Sequence, residues 1–180
     1  MKKLLCILLC LCLLCGLTAC TVEDKPSKET ETNDSSNAET EATKDTEKKD
    51  EKFDLNETAV FNNLKVTATE VKESEGTEYF KPEDGNVFVG VKFTIENTSE
   101  ETQNLSSLLC FTAYADDVKC DYSFSAACVF DDGSLDGDIA AGKKMIGWYS
   151  VELPSDWKNL QIDFIPDLLS NTPAQFLFAK

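Results

Sequence analysis

The sequence predicts an all-β protein: an antiparallel β-sandwich of about seven to eight strands, formed by residues 53–180. Three observations predict it. Asn86–Asn97 (NVFVGVKFTIEN) alternates apolar and polar residues along most of its length. Further short apolar runs follow, separated by turn residues. No segment carries an apolar stripe at helical spacing. Period-two alternation marks a half-buried strand, and many short strands with turns between them pack as two sheets.

In chain order, Leu64, Val66 and Ala68 alternate in LKVTATEV, and Val71 falls out of phase, as a β-bulge would make it. In 86–97, Val87, Val89, Val91, Phe93 and Ile95 share one face. Gly90, Lys92, Thr94 and Glu96 share the other, where Phe88 is the exception. Asn97-Thr98-Ser99-Glu100 is the turn that ends this strand. Residues 108–115 (LLCFTAYA) and 118–124 (VKCDYSF) flank Asp116-Asp117 as the arms of a hairpin. A two-residue turn there sets Ala115 against Val118 and Ala113 against Cys120. Gly147, Tyr149, Val151 and Leu153 share a face before Pro154. Leu160, Ile162 and Phe164 alternate up to Pro166, and AQFLFA (174–179) is the last strand. DLLSN (167–171) is at most a turn.

Ahead of this domain lie two segments of different composition. Met1-Lys2-Lys3 is basic, and Leu4–Leu14 is an unbroken apolar run of eleven residues. A mature spanning helix needs about 20, so the run has the length of a signal-peptide core. Leu17-Thr18-Ala19-Cys20 follows, then a fully polar stretch. Small residues before the cut suit a narrow peptidase site, and the cysteine offers a thiol for lipid. The order of these features resembles the lipobox of bacterial lipoproteins. That resemblance implies a signal peptide over 1–19, cleavage before Cys20, and lipid (palmitate among its acyl chains) on Cys20. Two or more acyl chains give stable anchoring. The expected location is the outer, extracytoplasmic face of the cell membrane, with the lipid on Cys20 as the membrane contact.

Residues 20–52 are expected to be that lipidated cysteine and a disordered, charged tether. Residues 21–52 hold eleven acidic residues, six lysines, nine Ser or Thr, and only Val22, Ala38 and Ala42 as apolar residues. Such a segment cannot bury enough apolar surface to offset its ordering entropy. After cleavage the chain would carry 15 lysines against 33 acidic residues, a net charge of −18, of which the domain carries −13. A basic footprint for nucleic acid or anionic lipid is missing. The chain has no histidine and no arginine. That removes Ser-His-Asp and Cys-His catalysis, imidazole metal sites and bidentate anion clamps. No glycine-rich phosphate motif occurs, so nucleotide binding is not expected. Acid–base chemistry by carboxylates and lysine is the remaining enzymatic route; the expectation is a non-enzyme without a cofactor.

The order NVFVGVKFTIENTSEE, LLCFTAYADD, LDGDIAAGKKMIGWYSVELPSDWKNLQIDFIP resembles an uncharacterised immunoglobulin-like domain family of Gram-positive bacterial lipoproteins. In that family a strand ending in Asn-Thr leads to a hairpin with a "pG…GW…f.vP" pattern. Here the pattern falls on Ala141-Gly142, Gly147-Trp148, Val151 and Pro154, with alanine at 141 where the family often has proline. The resemblance spans most of 58–180. It implies an immunoglobulin-like sandwich related to secreted mycobacterial immunogenic antigens, and no activity.

Three features are candidates for function. Asp131, Asp132, Asp136 and Asp138 put four carboxylates into eight residues, a density that can hold calcium. The spacing is not that of an EF-hand loop, and the reading favoured is a solvated turn whose Asp-Gly steps take positive φ. Trp148 falls on the outer face of its strand, where it is a candidate partner contact; Tyr149 falls on the inner face. Cys110, Cys120 and Cys128 remain once Cys20 is lipidated. Opposite faces of the hairpin disfavour a Cys110–Cys120 bridge. A Cys120–Cys128 or Cys110–Cys128 disulfide stays open, as do three free thiols packed as small apolar residues. Two functions follow: an interaction module presented to a protein or cell-wall partner, or a binder of a ligand or metal, accessory to transport.

Overall fold

The structure, a computed structural model, describes residues 26–28, 51–166 and 172–180. The expected signal segment, Cys20, most of the expected tether and the 167–171 turn lie outside the described residues. The long alternating run forms β5, Asn86–Asn97, with Val89, Val91, Phe93 and Ile95 fully buried. It pairs antiparallel along its whole length with β10, Lys144–Pro154. On its other side stands β4, Leu64–Ser74. The bulge expected there is present: the register shifts between Ala68 and Glu70, so Thr69 is the extra residue and Val71 returns to face the core. Two short edge strands, β3 (Thr58–Val60) and β1 (Ser27–Lys28), complete a first sheet in the order β1-β3-β4-β5-β10.

The second sheet has the order β2-β12-β11-β7-β8. Its members are β2 (Glu51–Phe53), β12 (Ala174–Ala179), β11 (Asn159–Phe164), β7 (Phe111–Ala115) and β8 (Val118–Cys120). β7 and β8 form the expected hairpin, with Ala115 opposite Val118 and Ala113 opposite Cys120. Asp116 and Asp117 both take positive φ, 47° and 68°, as a two-residue type I′ turn requires. A small third sheet joins β6 (Gln103–Leu105) to β9 (Gly137–Ile139).

The inner faces of the two large sheets meet in an aromatic core. Phe93 of the first sheet touches Phe111 and Phe176 of the second, with ring centroids 5.2 and 5.3 Å apart. Phe111 in turn packs on Tyr149 and Phe164 at 5.1 and 4.9 Å. Such offset and edge-on pairs add to what burial alone contributes.

The architecture is the expected all-β sandwich, with more strands than the alternation located. Seven of the twelve described strands (β4, β5, β7, β8, β10, β11 and β12) are the expected ones. The other five have two or three residues each, too few to display a period. β2 runs parallel to β12, with Phe53 opposite Phe176, the exception to antiparallel pairing. The sandwich thus starts at Glu51 and also takes in Ser27–Lys28 from the segment expected to be tether. The start of the expected 108–115 strand is instead a single helical turn, α1 (Ser107–Cys110), and a second turn, α2 (Phe124–Ala127), begins at the last residue of the expected 118–124 strand. Side-chain bonds, one set from a distant loop and one local, turn the backbone there. The Asp136 carboxylate accepts from the Ser107 amide and hydroxyl at 2.8 and 2.9 Å, and Ser123 Oγ accepts from the Ala126 amide at 3.2 Å.

Candidate functional site

The two outer sheet faces differ. Leaving β8, the chain crosses to the first sheet, where Tyr122 bridges to Val151 and the Ser123 amide donates to the Ser150 carbonyl at 2.8 Å. The chain then lays α2 and Phe130 across the outer face of β5 and β10. Phe88, Ala126, Phe130 and Trp148 form a second apolar cluster there. This accounts for Phe88, the apolar residue on the polar phase of its strand.

Trp148 is therefore not a surface contact, and that expectation is corrected. It is 5% exposed, with its ring stacked on Phe130 at 5.3 Å and the Lys72 and Lys92 ammoniums at 5.2 and 5.3 Å from its centroid. Outward phase was a sound inference; a crossover segment folded over that phase hides it. Gly90 lies beneath Phe130, where a Cβ would come within 2.8 Å of the ring. Tyr149 is buried in the core as its phase requires.

The structure does not bring the four loop aspartates together. Asp132 pairs with Lys92, which holds its carboxyl below the usual range. Asp136 receives the two bonds from Ser107, and Asp138 accepts from the Asn104 side chain at 2.9 Å. Gly133 and Gly137 have φ of 102° and 122°, the backbone that the Asp-Gly steps serve. Among the described residues no group of three or more His, Cys, Asp or Glu side chains is placed to hold a metal ion.

Cys110, Cys120 and Cys128 are free thiols. Cys110 and Cys120 pack against the core, and burial pushes both thiols above their ordinary pKa. A nucleophilic cysteine needs the opposite shift. Burial likewise raises Tyr122, and pushes Tyr149 up to about 12.

The outer face of the second sheet has a shallow, open groove of about 310 Å³. Tyr114, Gln161 and Leu177 stand in one cross-strand row on β7, β11 and β12 and form its floor. Asp54 and the Asp116-Asp117 turn add carboxylates to its lining. Asp116 is already engaged: its carboxylate accepts from the Lys158 amide at 3.1 Å and the Asn159 amide at 2.9 Å. Those bonds, the one from Asn159 foremost, hold its carboxyl below the ordinary aspartate value. Asp54 and Asp117 leave the groove acidic. Sequence reasoning did not single out these residues, although a signal existed. Tyr114 and Leu177 are large apolar groups on the outward phase of their strands.

A family model described as a domain of unknown function (DUF4352) matches residues 53–174. Among solved structures, the chain is similar to a candidate lipoprotein of Bacillus subtilis, ycdA, at 17% identity and a TM-score of 0.55. That match covers 66% of this chain and 37% of the other, so the chain spans little more than a third of ycdA. The yjhA protein of B. subtilis matches at 16% identity and a TM-score of 0.55, over 70% of this chain and 97% of its own. An uncharacterised β-sandwich protein of Clostridium difficile matches at 18% identity and a TM-score of 0.50, over 77% and 99%. At such identities the likeness establishes the β-sandwich fold alone. No curated protein matches the chain.

Proposed function

The chain belongs to the DUF4352 family, a domain of unknown function, and we propose that it is a membrane-anchored extracytoplasmic lipoprotein. Its sandwich presents a non-enzymatic interaction face to a protein or cell-envelope partner. The anchor rests on the Leu17–Cys20 box behind an eleven-residue apolar run; the lipoprotein description of the similar ycdA protein is in keeping with it. Strand order supports the immunoglobulin-like part of the reading. β4-β5-β10 has the adjacency of strands A-B-E, and β12-β11-β7-β8 that of G-F-C-C′.

The observation that carries the interaction role is the asymmetry of the outer faces. On one, Phe130 and α2 cover Phe88 and Trp148 and leave Ile146 exposed beyond them, while the other carries Tyr114 and Leu177, partly exposed, in one uncovered row. A photo-crosslinking residue at Tyr114, in cells carrying the full chain, is expected to give a discrete adduct. The same residue at Thr94, on the outer face of β5, serves as control. Equal labelling from both positions, or none from Tyr114, would end this reading.

The groove also favours a second reading, a carrier of a small cationic ligand accessory to transport. Its volume lies at the lower end of ligand pockets, and Asp54 and Asp117 supply negative charge. Saturable uptake of a polyamine by the purified chain, lost in Asp54→Asn, would favour the carrier over the interaction module.

A further inference from the structure

Ser27 and Lys28 add to the free edge of β3, with Ser27 opposite Val60 and Lys28 opposite Ala59. The Lys28 ammonium donates to both oxygens of Glu57, at 2.9 and 2.7 Å. It also stands 5.7 Å from the ring centroid of Phe53. Glu57 immediately precedes β3, and Phe53 belongs to β2 at the corresponding edge of the second sheet, so Lys28 touches both sheets where their edges meet. Pro26, just ahead, is buried. Strand pairing, and one ammonium shared between an ion pair and a cation–ring contact, therefore hold a segment whose composition alone predicts no order.

We propose that Pro26–Lys28 is a docking strand that clips the lipidated end of the chain onto the sandwich, holding the head close to the membrane with its β1–β2 edge toward the lipid. The inference rests on the lipid-anchor reading of Cys20. Only seven peptide links separate Cys20 from Ser27. Fully extended, they reach at most about 25 Å. Without the docked strand the first fixed residue would be Glu51, thirty-one links from Cys20, and the limit would rise to roughly 110 Å. The clip converts a long leash into a short one.

The clip also orients the head. β1 and β2 end their sheets on one side, and β10 and β8 end them on the other, joined there by the Tyr122–Val151 bridge. Four strand spacings of about 4.8 Å separate the two sides, roughly 19 Å. Phe124, 69% exposed and stacked edge-on against Tyr122 at 5.2 Å, lies on the far side. It faces away from the membrane when the strand is docked.

Two measurements test the proposal separately from the anchor. In the mature chain carrying Cys20→Ser, trypsin cleavage after Lys28, followed by mass spectrometry, reports docking without lipid. It is expected to be several-fold slower in that chain than in the same chain with Glu57→Lys added, which repels Lys28; equal rates overturn docking. Thermal melts of both chains confirm that the sandwich itself is intact. With the lipidated chain in phosphatidylcholine vesicles, energy transfer from a dye on the exposed Cys128 to a lipid-borne acceptor reports height. Transfer is expected to fall in Glu57→Lys. Unchanged transfer from a membrane-bound chain overturns the short leash. A chain that never enters the vesicle fraction overturns the lipid anchor and leaves docking to the protease result.

Discussion

Single side chains fix several of the turns. Asn97 ends β5 fully buried, its amide donating to the Glu101 and Ile139 carbonyls at 2.7 and 2.8 Å. Its carbonyl oxygen accepts from the Ser99 amide and hydroxyl at 3.0 and 2.8 Å. Asn97→Ala leaves those groups unpaired and is expected to cost about 2–3 kcal/mol in urea unfolding. A change under half a unit would show that water takes over the role. At the hairpin the two aspartates should respond oppositely. Asp117, at φ 68°, pays local strain that glycine would not, so Asp117→Gly is expected to raise the melting temperature. Asp116→Gly removes the carboxylate that holds the Lys158 and Asn159 amides and is expected to lower it. Because the folded-state pKa of Asp116 is depressed, its contribution is present above the ordinary aspartate range and is lost as pH falls through the lowered value. The Asn159 amide proton shift is expected to titrate with a midpoint below 3.8; a midpoint at or above it would contradict the assignment.

Among the elements, α2 does most to decide which surface is available. It is only four residues long, yet with Phe130 it covers the outer face of β5 and β10. The fit depends on Gly90, above which Phe130 lies without room for a Cβ. Gly90→Ala is expected to destabilise by about 1–3 kcal/mol, and to brighten or shift Trp148 fluorescence as the cluster loosens. An unchanged spectrum with unchanged stability would mean that Phe130 simply moves aside. Gly147 is fitted in the same way, since a Cβ there would meet the Ser134 backbone at 2.5 Å. The Gly147-Trp148 pair of the family pattern thus has a packing reason: the glycine admits the Ser134–Leu135 backbone on one face of the strand, and on the other the tryptophan packs under Phe130.

For the whole molecule, charge and attachment are the governing quantities. With 22 acidic residues against nine lysines in residues 53–180, the head is repelled by anionic lipid. The mature chain with Cys20→Ser is expected to stay in the supernatant when vesicles rich in phosphatidylglycerol are sedimented at low salt. Cosedimentation would show that a local patch overrides the net charge. On the proposed lipid anchor, a head so repelled would stay near the membrane only through that lipid and whatever shortens the path to it. This makes a small contact such as Lys28–Glu57 consequential for reach, although an exposed ion pair adds little to folding stability.

The sequence by itself determined the all-β class, seven of the strands, the Thr69 bulge through the misplaced phase of Val71, and the hairpin register at Asp116-Asp117. These are local: alternation and turn chemistry are written into neighbouring residues. The membrane address read from the Leu17–Cys20 box is an expectation that rests on those residues. Only the tertiary structure decided that Trp148 is buried and that the loop aspartates part to separate partners. It alone placed Tyr114 and Leu177 in one open row, and Lys28 between two sheets. Each of these depends on segments far apart in the chain coming to lie side by side, as when residues 124–130 fold over strands 86–97 and 144–154. Period and composition carry no information about which distant segment covers a face.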